Sequence, residues 1–153
     1  MEAIQPAVAE IAVTYINKQN AKERPVISSS DDAHQYLLKG FNQDTIALKE
    51  EFIALYLNRA NHVLGLYKVG IGGMTGVVAD PRMVIAVALK IAAVSIIVGH
   101  NHPSGNLKPS RQDEELTTKL REGAKFMDIK VLDHLIVSPC GKEYYSFADE
   151  GLL

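Results

Sequence analysis

Cysteine is almost missing from this chain: Cys140 is the only one among 153 residues. No internal disulfide can form and no Cys-rich zinc site can be built, which accords with a reducing cytoplasm. Excess charge is missing too. Sixteen Lys and Arg against eighteen Asp and Glu leave a net charge of −2, so the whole-chain balance gives no sign of nucleic-acid or membrane binding. A long apolar run is also lacking. The longest, residues 83–98, is interrupted by Lys90 and falls short of the ~20 residues a membrane span needs. The first residues carry Glu2 and Glu10 and no basic stretch, unlike a secretory signal. The expectation is a soluble, cytoplasmic protein with no membrane partner.

What is present is ordinary for a globular domain: 47% hydrophobic and 22% charged residues, in a length that suits one domain with one core. Residues 8–16 are apolar and β-prone and read as a strand or an arm. "NKQNAKERP" is a polar linker, so residues 1–27 form an N-terminal arm and linker, and residues 28–153 form the domain. Ser29 and Ser30 can cap a helix through "DDAHQYLLKGF", and "DTIALKE" reads as a second helical piece leading to Glu50. "EFIALYLN" and "HVLGLYKVG", separated by the turn "NRAN", read as a hairpin. Asp80 and Pro81 suit the N-cap and first turn of a helix reaching about Ala93. "SIIV" is a buried strand. Leu116, Leu120 and Ala124 share one face of a helix beginning near Arg111. "IKVLDHLIV" and "YYSF" are the last strands. Helices and strands alternate, which predicts an α/β sandwich. The hairpin makes its sheet mixed.

One stretch stands apart: "VGHNHPSGNLKPSRQDEEL", residues 98–116. On an extended chain His100 and His102 point to one side and Asn101 to the other, and Pro103 keeps His102 out of the α region. A turn rich in Gly and Pro follows. A helix beginning near Ser110 then carries Asp113 in its first turn, where its carboxylate can return to the imidazoles. Two nitrogens and one oxygen match the three protein ligands of a catalytic zinc with an open position. A hydrolytic site of this kind also uses a carboxylate for proton transfer; Glu50 and Glu51 are the upstream candidates. The plain alternative stands beside this reading. Ser110-Arg-Gln-Asp113 is a capping box, Asp113 suits the positive end of a helix, and strand-end histidines are common. Only the joint spacing H-x-H-x7-S-x2-D speaks for metal, and a capped helix would also fix Asp113 as a ligand.

Together with "EEFIALYLNRAN", "DIKVLDHLIV" and "YYSFADEGLL", this stretch resembles the RadC family, a bacterial branch of the JAMM (MPN+) metallopeptidase-like domains. The resemblance runs from residue 46 to 153 and, more weakly, over the preceding helix. It implies a three-layer α/β/α sandwich with a mixed sheet, cytidine-deaminase-like. It implies Zn2+ held by His100, His102 and Asp113, a general acid/base glutamate, and Ser110 helping to hold the water or the oxyanion. The family glutamate stands two residues before the aromatic that opens the strand, here Phe52, which selects Glu50. Glu51 is the alternative, because a slip of one residue turns the side chain to the other face. The implied chemistry is hydrolysis of a peptide or isopeptide bond by a zinc-activated water. Longer RadC proteins carry an N-terminal helix-hairpin-helix, a binder of DNA backbones. This chain has a polar linker and a short helix there, which weakens the DNA-repair role attached to the family name. A nucleic-acid-processing protein using the same metal site, or a non-catalytic binding module, are the competing expectations.

Other features weigh less. "GIGGMTG" fails G-x-G-x-x-G and reads as a flexible connection or a substrate-facing edge. His134 follows Asp133, a pair the family shares, and suits a supporting role behind the ligands. His34 and His62 read as surface or structural. Pro139-Cys140 begins like a deaminase P-C-x-x-C, but Glu143 ends the match. Lys108, Arg111, Arg121, Lys125 and Lys130 alternate with acidic residues and read as a solvated face. Residues 8–16, as an arm or edge strand, suit pairing with another subunit in a homodimer.

Overall fold

Two strands are buried along their whole lengths: β1 (Glu51–Leu57) and β3 (Ser95–Asn101). Both are apolar on alternate and intervening positions, as strands covered on two faces must be. They pair antiparallel at the centre of a five-stranded mixed sheet. The computed structural model describes residues 7–73, 76 and 78–153. β2 (Val63–Ile71) forms the outer arm of a hairpin with β1, and β4 (Lys130–Val137) runs parallel to β3. β5 (Tyr144–Ser146) closes the other edge antiparallel to β4, giving the order β2-β1-β3-β4-β5. Parallel neighbours need a crossover, and α3 (Arg111–Lys125) supplies it between β3 and β4.

Side chains alternate between two cores. Phe52, Ala54, Tyr56, Ile96 and Val98 meet Val84 and Ala88 of α2 (Pro81–Lys90) and Leu120 and Ala124 of α3. On the opposite face Ile53, Leu55, Leu57, Ile97 and Leu135 meet Ala33 and Leu37 of α1 (Ser30–Gly40). The result is the expected three-layer α/β/α arrangement. Leu37 comes so close to the sheet that a Cβ on Gly99 would lie 2.8 Å from its Cδ1.

Two local expectations are corrected, and for residues 8–16 the strand alternative is set aside. Residues 8–16 form no strand; they run exposed, with Ile11 88% and Ile16 79% accessible, and Tyr15 Oη donates to the Leu64 carbonyl of β2. β-Prone composition does not suffice where no backbone partner is present. "DTIALKE" is a series of turns rather than a helix: Thr45 N bonds Asn42 O, and Leu48 N bonds Thr45 O. Helix α2 stops at Lys90, short of Ala93. Ala92 turns to φ 55°, and Ala93 N reaches back to Ala88 O at 2.9 Å, a Schellman ending that releases the chain into β3.

Topology dictates where chemistry can collect. β1 and β3 are antiparallel, with Phe52 opposite His100. The start of β1, the end of β3 and the N-terminus of α3 therefore lie together.

Candidate metal centre

His100 is the next-to-last residue of β3, and its partner His102 follows the strand's end. The chain then turns back: Gly105 N bonds His102 O at 2.9 Å, and Gly105 takes φ 81°, a conformation only glycine adopts without strain. Pro103 and Gly105 occupy the second and fourth positions of this turn, as such turns favour. The loop delivers Ser110 as the N-cap of α3. Asp113 N bonds Ser110 Oγ at 3.1 Å, and Ser110 N bonds Asp113 Oδ2 at 2.8 Å. This reciprocal capping box fixes the Asp113 rotamer. The capping and ligand readings of Asp113 therefore describe one geometry.

The three candidate ligands converge. His100 Nε2 and His102 Nε2 are 2.9 Å apart. Asp113 Oδ1 is 3.4 Å from the first and Asp113 Oδ2 is 3.6 Å from the second. Tetrahedral coordination with bonds of ~2.1 Å separates its ligands by roughly 3.4 Å, so the two carboxylate–imidazole spacings match a small divalent ion and the imidazole pair is tighter by roughly 0.5 Å. The donor set, two imidazoles and a carboxylate, can hold such an ion.

Hydrogen bonding behind the ligands decides which ring nitrogens carry protons. Thr117 Oγ1 has a single hydrogen and donates it to Asp113 O at 2.7 Å. It can then only accept from His134 Nδ1, 2.6 Å away. His134 Nε2 is left with a lone pair and accepts from His100 Nδ1 at 2.8 Å. His100 Nε2 is thereby bare and faces the cluster. His102 reaches the same state by a shorter route, because its Nδ1 donates to the Asn106 carbonyl. Two lone pairs 2.9 Å apart repel unless a cation or proton lies between them.

Electrostatics agree at His134. Burial pushes the fully buried His134 well below the ordinary imidazole range, with the nearby His100 adding to the shift. It is therefore neutral, as the tautomer chain requires. Burial also opposes the charge on His102, but bonds to Asp113 and to the Asn106 carbonyl raise its pKa. Burial opposes the Asp113 carboxylate as well; the His100 and His102 contacts outweigh it and hold the carboxyl far below its usual range.

The two candidate glutamates part company at the start of β1. Phe52 lies on the α2–α3 face beside His100, their rings stacked at 6.0 Å. Glu50, two residues earlier, borders the same side, in a cleft of about 580 Å³ with Gly76, His102, Ser110, Gln112 and Asp113. Glu51 points the other way. It is buried, pairs with Lys68 Nζ at 2.9 Å and accepts from Asn42 N at 3.4 Å. Gly76, the described tip of the glycine-rich connection, adopts φ 144°. A Cβ there would lie 3.8 Å from Glu50 Oε2. Residues 74, 75 and 77 of that connection lie outside the described residues.

The remaining candidates sit elsewhere. Asp133 accepts from the backbone N–H of His134 at 2.7 Å, while the His134 ring meets His100 and Thr117. Asp133 also accepts from Ser146 Oγ at 2.6 Å and Ala148 N at 3.0 Å, tying down the chain's last turn. His34 is buried and stacks on Tyr144 at 4.5 Å, and His62 Nδ1 meets Arg24 O at 3.2 Å. Cys140 is exposed. Thr117 was not singled out by motif. Its signal is the four-residue step from Asp113, which places both on one helical face.

Comparison with known proteins agrees with this architecture. Residues 27–152 match the RadC-like JAB domain family. A UPF0758 protein of Flavobacterium johnsoniae is 42% identical over 103 residues, 67% of this chain and 44% of the relative. A UPF0758 protein of Streptococcus gordonii is 37% identical over 145 residues, 94% of this chain and 61% of its own. One from Bacillus velezensis is 35% identical over all 153 residues and 64% of its length. The chain thus spans between 44% and 64% of these relatives. It belongs to the RadC-like JAB domain family. Among the described residues no helix is long and apolar enough to cross a membrane.

Proposed function

We propose that this RadC-like JAB domain is a zinc-dependent hydrolase of the JAMM type that cleaves a peptide or isopeptide bond. The observation that carries the reading is that Glu50 lines one cleft with Ser110 and with His102 and Asp113 of the convergent donor set. His100, His102 and Asp113 would hold a zinc ion, which when bound would supply Lewis acidity and a water acidic enough to lose a proton near neutral pH. Glu50 is the general base that takes that proton. It later returns it to the amide nitrogen as the C–N bond breaks, so one carboxylate serves both halves of the reaction. Ser110 lines the same wall and its hydroxyl donates to the carbonyl oxygen as negative charge develops there. The Thr117–His134–His100 chain keeps the ligand nitrogen unprotonated, and the capping box keeps Asp113 in place. A cleft of about 580 Å³ suits a short peptide segment.

The test is metal analysis of protein purified without added metal, then hydrolysis of a peptide and isopeptide library, with single- and double-stranded DNA as control substrates. Zinc near one equivalent, with amide cleavage lost in Glu50→Gln, is expected. A chain that neither carries zinc nor takes it up on reconstitution removes the reading, and cleavage confined to DNA replaces it.

A further inference from the structure

Glu50 poses a mechanical problem. It ends a run of turns, just before β1 begins, where its carbonyl accepts from Gly72 N of the neighbouring segment at 2.8 Å. A base must nevertheless be held to within a fraction of an ångström of its proton donor. We propose that Asn101, the residue between the two histidines, is the positioning residue that sets Glu50 over the metal ligands. The inference rests on the reading of Glu50 as the base.

The geometry is specific to an amide side chain. Asn101 is fully buried at the end of β3, on the sheet face opposite His100. Its Oδ1 accepts from Glu51 N at 2.8 Å. Its Nδ2 donates to Lys49 O at 3.0 Å and to Ile46 O at 2.7 Å. The peptide groups on both sides of Glu50 are therefore gripped by one side chain, and Glu50 O accepts from Gly72 N at 2.8 Å. Both amide hydrogens and the carbonyl are used. Aspartate has no hydrogens for the two carbonyls, and a hydroxyl cannot make three such bonds. Because β3 alternates its faces, the backbone that carries His100 and His102 toward the candidate metal site carries Asn101 to the opposite face, against the peptide groups that flank Glu50. Ligands and base then share one rigid frame, and the H-N-H order has a reason at its middle letter.

The experiment compares wild type, Asn101→Ala, Asn101→Asp and Glu50→Gln in the full chain. In the metal-free protein, hydrogen exchange at the Glu51 amide should accelerate at least tenfold in Asn101→Ala, which removes its acceptor, and less in Asn101→Asp, which keeps an acceptor there and loses only the two donors. Amides of Ile97 and Val98 should be unchanged, which shows that the sheet survives. Cobalt(II) is then the probe. With carboxyl-13C glutamate, the Glu50 signal, assigned by its loss in Glu50→Gln, should be paramagnetically shifted in wild type. That shift should fall by at least half in both Asn101 variants, while the shifted imidazole signals of His100 and His102 persist. An unchanged Glu51 exchange rate in Asn101→Ala, or an undiminished Glu50 shift in both Asn101 variants, overturns the positioning role. If cobalt shifts the imidazoles in wild type but not Glu50, Glu50 is not the base. If it shifts neither, the metal centre itself is refuted. Both results remove the proposal with the reading beneath it, and each is distinguishable from failure of Asn101 alone.

Discussion

Thr117 touches no metal, yet replacing it with valine should weaken zinc binding by 10- to 100-fold. The substitution keeps the shape of the side chain and deletes one hydroxyl. Asp113 O loses a secondary donor, and His134 Nδ1 loses its only acceptor, at 2.6 Å, in a fully buried position. Leaving that N–H unsatisfied costs ~1–3 kcal/mol. The ring can escape by moving its proton to Nε2, but that hydrogen then points at His100 Nδ1, 2.8 Å away. His100 must answer by carrying its own proton on Nε2, the atom that has to bind the metal. Either route taxes the loaded site. Losses of ~10–100-fold are usual when such an outer partner is removed, and correspond to ~1.4–2.7 kcal/mol. Competition with a chromophoric chelator measures the affinity, 15N spectra of the imidazoles report the tautomers, and thermal unfolding confirms that the variant folds. Thr117→Ser restores the hydroxyl and should recover most of the affinity. A folded Thr117→Val protein binding zinc within about twofold of wild type, or a serine variant as weak as valine, refutes the tautomer chain.

Three further outcomes follow from the same geometry. His100→Ala and Asp113→Asn should lose their zinc during dialysis while Glu50→Gln keeps about one equivalent, read by elemental analysis; retention in either ligand variant contradicts the assigned set. Zinc affinity should fall on acidification by up to tenfold per pH unit, because His102 has a raised pKa and the metal must displace its proton. In the metal-free chain the His102–Asp113 pair stabilises the fold below the ordinary imidazole value of 6.5. That contribution fades as pH rises through the raised His102 pKa, and on the acid side it is lost only as the depressed Asp113 carboxyl protonates. A dissociation constant that does not change between about pH 8 and 6 would contradict this. Gly99→Ala should destabilise the fold by ~1–3 kcal/mol in chemical denaturation, since its Cβ would meet the buried Leu37 at 2.8 Å; a neutral result would mean that α1 can shift on the sheet.

The elements readable from sequence were those whose signal is local. α1, α2 and α3 each announce an N-cap side chain, Ser29, Asp80 and Ser110, which bonds the backbone of the first turn. β1 and β3 announce themselves by continuous apolar runs between turn residues. The misreadings fall where a distant partner decides. "DTIALKE" has helical composition, but Ile46 and Lys49 give their carbonyls to Asn101, some fifty residues away. A regular helix over this stretch would bond the Ile46 carbonyl to Glu50 N, although the Lys49 carbonyl in its last turn would have no intrahelical partner. Residues 8–16 have strand composition, but no ladder forms for them along β2; only side-chain contacts from Tyr15 and Asn17 reach Leu64 O.

The site divides along the same line. The H-x-H-x7-S-x2-D spacing holds three candidate ligands and a cap within fourteen residues, and the capping box converts that spacing into a fixed carboxylate. Choosing between Glu50 and Glu51 needs the pairing register, because adjacent residues face opposite sides. Phe52 opposite His100 supplies it: the residue two before Phe52 shares its side, and the residue one before it is committed to Lys68. What no motif could disclose is how separate strands hold the ligands' environment. Thr117 and His134 come from α3 and β4, and they meet His100 only because α3 crosses over to lay β4 parallel to β3. The sequence therefore names the atoms that would bind a metal, and the topology decides which of their nitrogens is free to do so.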